Sequence, residues 1–136
     1  MTAIIPNVKE KLLLGAGLDV LHFESQEWLD TIDFWKDEVR FFDILLKKIE
    51  IWGDTKKNFS NMLKSLDKIH ADLFKDMEDA ILEHEHLLSR LVKGEKGLAD
   101  ADYRDKHRIL TARMDTFTSD FKSFKKIVFD YLKDFI

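Results

Sequence analysis

The chain has 136 residues, 45% of them hydrophobic and 35% charged, with a formal net charge of −4, one proline, five glycines and no cysteine. That apolar content excludes a disordered chain and sets an expectation of one domain with a real core. The acidic balance argues against a nucleic-acid binder, which needs a basic face, and the missing cysteines exclude disulfide scaffolds, thiolate metal sites and cysteine nucleophiles.

In chain order, residues 1–18 read as an N-terminal arm. Pro6 suits the first turn of a short helix, and Leu12 to Leu18 follow Lys9 and Lys11 much as in a secretion signal. The stretch is interrupted by Gly15 and Gly17, has no small-residue cleavage pattern and runs straight into Asp19, so a cytoplasmic protein is expected. No run approaches the roughly 18 to 20 apolar residues of a membrane span.

Residues 19–136 read as a helical bundle domain. Pro6 is the only proline, which favours long helices. Three segments keep apolar residues at alternating steps of four and three. The first joins Leu21, Ser25, Trp28, Ile32, Trp35, Val39, Phe42, Leu46 and Ile49, with an N-cap expected at Asp19. Gly53 and Asp54 then supply a turn. The second joins Phe59, Leu63, Leu66, His70, Leu73, Met77, Ala80, His84, Leu87 and Leu91. The pattern lapses between Gly94 and Gly97, and Asp100 or Asp102 is placed to cap the third helix. That helix joins Tyr103, His107, Leu110, Met114, Phe117, Phe121, Phe124, Val128, Tyr131 and Phe135. The expected fold is all-α: an up-down-up antiparallel bundle of three long helices with a short N-terminal helical arm. Phe23, Phe34 and Phe41 lie opposite the seam of the first helix, more apolar surface than one seam needs, and point to completion of the bundle as a homodimer.

Polar residues in the seams mark the functional candidates. His22 lies about 31 residues before the Gly53 turn, level with His84 on the returning helix, and His107 sits at a matching height beyond the second turn. Three imidazoles from three helices therefore share one layer, flanked by Glu24 and Glu85. Such a set suits Zn²⁺ or non-haem iron, with His22, His84 and His107 as ligands and the glutamates as further ligands or orienting partners. The bland alternative is a set of core histidines bonded to carboxylates, in a helical interaction or assembly protein. His70, level with Glu38 and Phe121, reads as structural. No phosphate loop, nucleophile elbow or oxyanion device is visible, so an enzyme ranks behind both readings.

The stretches His22-Phe23-Glu24 and His84-Glu85-His86, with Asp105, His107, Arg113 and Met114, resemble small bacterial helical-bundle proteins that open their first long helix and close their second with such motifs. The resemblance spans about residues 20 to 135 and implies a helical bundle; it brings no activity with it. Hemerythrin-like and ferritin-like bundles are a more distant analogy. The chain departs from them in having three long helices rather than four, and in lacking the paired glutamate-to-histidine motifs of ferritin-like di-iron proteins.

Overall fold

The computed structural model describes residues 17–51 and 57–135. Within them the chain is all-helical, without strands: α1 spans Leu18–Ile51, α2 Lys57–Val92 and α3 Asp100–Leu132, followed by a 3-10 turn at Lys133–Phe135. Residues 1–16 and the expected turn at Gly53 and Asp54 lie outside the described residues. No described helix is long and apolar enough to cross a membrane.

The helix ends differ in detail from the expected caps. The Gly17 carbonyl accepts from the Val20 and Leu21 amides (3.1 and 3.3 Å), so Asp19 falls in the first turn of α1. There its charge complements the helix dipole instead of capping. Asp100 and Asp102 do the same in α3, which starts after Ala99 with no side-chain cap. α2 closes in a Schellman arrangement: Gly94 takes φ +77°, its amide bonds to the Leu91 carbonyl (3.0 Å), and the Glu95 amide reaches the Arg90 carbonyl (3.2 Å). Only glycine adopts that φ without strain, so the chain turns there.

Cross-helix contacts set the register. His22 meets Glu85 and Lys36 meets Glu78 (3.1 Å) between α1 and α2. Glu24 meets His107 and Glu38 meets Lys125 (3.3 Å) between α1 and α3, and Phe59 packs on Tyr131 between α2 and α3. The expected seams of α1 and α3 are buried nearly throughout. That of α2 is displaced: Phe74, Met77, Ile81, His84 and Leu88 are buried while Leu73 is 39% exposed. Residues 70 to 74 show why. His70 stacks on Phe124 of α3 and Phe74 packs against Trp35 of α1, so α2 buries a band between two neighbours, wider than a single heptad line.

The core is divided. A large cluster centres on Ile32, Trp35, Phe42, Phe74, Ile81 and Phe121. A small one holds Leu21, Leu88 and Tyr103 near the end of the bundle. Polar side chains lie between them.

Candidate functional site

That intervening layer contains the five candidates from the sequence. His84 and His107 are its interior, 4% and 1% exposed. Their positions follow from the helix period: Tyr103, His107 and Leu110 recur on one face of α3, as Ile81, His84 and Leu88 do on α2, and both faces turn inward. His84 Nε2 lies 3.0 Å from His107 Nδ1, and His107 Nε2 lies 3.3 Å from a Glu24 carboxylate oxygen. Glu85 bonds to His22 Nδ1, and its same oxygen accepts from Gln26 Nε2 at 3.4 Å.

Burial holds both interior imidazoles neutral. His84 is pushed down to about 4 by desolvation, with His107 and Lys106 acting in the same direction and Glu85 opposing. Desolvation also takes His107 to about 4, with Glu85 opposing and Arg104 adding to the shift. Neutral rings and an ionised Glu24 fix the tautomers. Glu24 can only accept, so Nε2 of His107 carries the proton and Nδ1 keeps a lone pair, which accepts from Nε2–H of His84. His84 Nδ1 is then a second lone pair, buried and without a partner.

Aromatic rings clamp the two imidazoles. Tyr103 stacks on His84 with centroids 4.2 Å apart and planes within 2°; Trp28 stacks on His107 at 4.6 Å. The Thr111 hydroxyl donates to the His107 carbonyl (2.9 Å), and Ser25 to that of Leu21 (3.2 Å). Desolvation raises the proton affinity of the Tyr103 hydroxyl, keeping it protonated. With the imidazoles held in place, a further unpaired polar atom stands out: Glu85 Oε1 is also buried without a hydrogen-bond partner. Native interiors leave few such atoms, and water or an ion commonly accounts for them.

The five candidates therefore meet as two linked sets rather than around one point. His84, His107 and Glu24 form one chain, and His22 with Glu85 forms another at the surface, His22 with its side chain 53% exposed. Among the described residues no three His, Asp or Glu side chains surround a common point as they stand. His86 is exposed and apart from the chain. His70 donates to the Leu66 carbonyl (2.8 Å) and stacks on Phe124 (4.7 Å), while Glu38 pairs with Lys125 instead of His70.

Sequence reasoning placed Tyr103 and Trp28 in the seams but did not assign them to the imidazoles. Tyr103 precedes His107 by four residues and so shares its face, which is the signal that would have found it. It also passed over Asp67, which is 4% exposed. Comparison with protein-family models, curated proteins and solved structures finds no match. The chemistry of this layer rests on its own geometry.

Proposed function

We propose that this chain is a metal-binding helical bundle holding a transition-metal ion, Zn²⁺ or non-haem Fe²⁺, between His84 and His107. One observation carries the reading. Glu24 on the outer nitrogen of His107 presents the inner nitrogen as a lone pair, the carboxylate–histidine arrangement that orients metal ligands, and that lone pair faces His84 Nε2 at 3.0 Å. Two nitrogens bound to one tetrahedral Zn²⁺ at 2.0–2.1 Å stand roughly 3.3 Å apart, so a small separation of the rings lets an ion take the place of the hydrogen bond, the His84 proton moving from Nε2 to its unpaired Nδ1. Glu85, with its buried unpaired oxygen, and His22 beside it supply the remaining positions once their mutual bond opens.

The bundle that carries this layer is proposed to be up-down-up, paired with a second copy through the outer face of α1. Val20, Phe23, Phe34, Phe41 and Ile44 are each about half exposed or more and recur along one stripe of that helix. Residues 18–33 include five acidic side chains and no lysine or arginine, whereas residues 34–51 balance Lys36, Arg40, Lys47 and Lys48 against Asp37, Glu38, Asp43 and Glu50. An antiparallel pair of α1 helices therefore sets the acidic half of each against the charge-balanced half of the other, where a parallel pair would face the two acidic halves together.

A second reading has its own support: the Glu24–His107–His84 chain already satisfies three ring nitrogens without an ion, as a structural polar layer in an assembly protein would. Metal analysis separates the two. Untagged protein loaded with Zn²⁺ or Fe²⁺ and passed through gel filtration is expected to keep close to one ion per chain. His84→Ala and His107→Ala should abolish retention while His86→Ala leaves it intact. Equal retention by all three variants, or none by the wild type, assigns the layer to structure alone.

A further inference from the structure

On the outer side of His84, α2 and α3 leave a half-open cavity of about 350 Å³, within the size range of small-ligand sites. Its walls are apolar, from Ala80 and Leu87 on α2 and Ile109 and Leu110 on α3. A second depression of about 410 Å³ adjoins it at Ile109 and continues over Ala112 to Phe117. From Lys106 to Phe117 the trough follows α3 for about 16 Å at 1.5 Å per residue. The two depressions share Ile109, which is 54% exposed between them.

The charges on the rim are selective. Arg90 is taken by Glu95 through two hydrogen bonds (2.7 and 2.6 Å). Lys106 makes no ion pair among the described residues, and the acidic Glu83 shares its end of the cavity. Arg108 is paired with Asp105 (3.5 Å), so Lys106 and Arg113 stand against the one carboxylate of Glu83, a balance that suits a singly charged anion and disfavours a dianionic phosphate. Arg113 at the far end lies over the Phe117 ring (6.0 Å) and lengthens the apolar surface with its stem.

We propose that this trough binds a single-chain carboxylate, a free fatty acid, with its head group on Lys106 and its acyl chain along Ile109 toward Phe117. The run along one helix suits a chain rather than a compact ring system, and Lys106 and Arg113 against the single carboxylate of Glu83 among the described lining residues favour an acid over an amine. The site stands on different residues from the ion-binding layer, apart from His84 in its wall, and does not depend on an ion being bound.

The test uses the full chain, chelator-treated and metal-loaded in parallel, with dodecanoate followed by NMR and calorimetry. Saturable binding of one dodecanoate per chain is expected in both forms, with the largest shifts at Leu87, Ile109 and Phe117. Lys106→Glu and Ile109→Gln, both at exposed positions, should each weaken binding by about tenfold or more. Dodecylamine, with the same chain and the opposite charge, and acetate, with the same head and no chain, should not bind there. Non-saturable uptake, equal binding of dodecylamine, or shifts centred on Phe34 and Phe41 would overturn the proposal. Dissociation of a dimer by dodecanoate would also overturn it, by assigning the trough to a subunit contact. Loss of metal retention with dodecanoate binding intact would count against the ion site alone.

Discussion

Asp67 and the two interior histidines set opposing demands on the pH at which the fold is most stable. Asp67 is buried, with Oδ1 unpaired, and desolvation together with the nearby Asp43 charge pushes it up to about 7. The unfolded chain ionises this carboxyl near pH 4, so between about pH 4 and 7 the folded state binds the extra proton and stability falls as pH rises. His84 and His107 act the other way. The unfolded imidazoles take up protons below about 6.5 and the folded ones only near 4, so their contribution is complete above 6.5 and is lost as pH falls toward 4. The two windows overlap and partly cancel. Asp67→Asn removes the ionisation while keeping the shape, and is expected to raise stability at pH 7.5 by about 1–3 kcal/mol. The gain should shrink toward pH 5, leaving a steeper acid loss due to the histidines. Urea unfolding at a series of pH values measures both; a gain independent of pH would mean that Asp67 ionises over the same pH range in the folded and unfolded chains.

At the scale of the helices, legibility followed the number of neighbours each face meets. α1 and α3 bury one stripe, and Trp35, Phe42, Phe121 and Val128 were readable from spacing alone. In α2 the stripe passes through Ser60 and Asp67, both buried, and these polar residues hide the true line from any search for apolar periodicity. The layer at His84 was readable because counting residues from a turn fixes height along a straight helix at 1.5 Å per residue. Ring stacking and tautomers were not, since they depend on side-chain rotamers and on which nitrogen meets Glu24. The outer stripe of α1 makes its own prediction. Phe34→Glu combined with Phe41→Glu places charge at two exposed positions, and light scattering should change from two chains per particle to one. A wild-type protein that stays monomeric at high micromolar concentration removes the dimer.

In the whole molecule, the polar layer separates two cores of very different size. Beyond it, at the end of the bundle, Leu21, Leu88 and Tyr103 form the buried cluster among the described residues, with Leu18, Leu87 and Leu91 packed alongside; on the other side lies the aromatic core of Trp35, Phe74 and Phe121. Apolar burial is the main term holding helices together, so the two ends should not open together. Backbone amides around residues 84–92 and 100–107 are expected to exchange with solvent through partial opening, at lower free energy than those of residues 35–46 and 70–81. Hydrogen exchange in mild denaturant would show one common opening energy for all of them if the bundle is a single cooperative unit.

That short apolar cap has a kinetic meaning for anything held behind it. An ion between His84 and His107 would lie under Tyr103, whose ring covers His84 almost face to face. Entry and escape would then keep time with the breathing of the bundle's end rather than with bond breaking at the ligands. Residence would lengthen as the Leu21–Leu88–Tyr103 contact tightens, and a larger side chain at Leu88 would slow the exchange of a bound ion without altering what binds it.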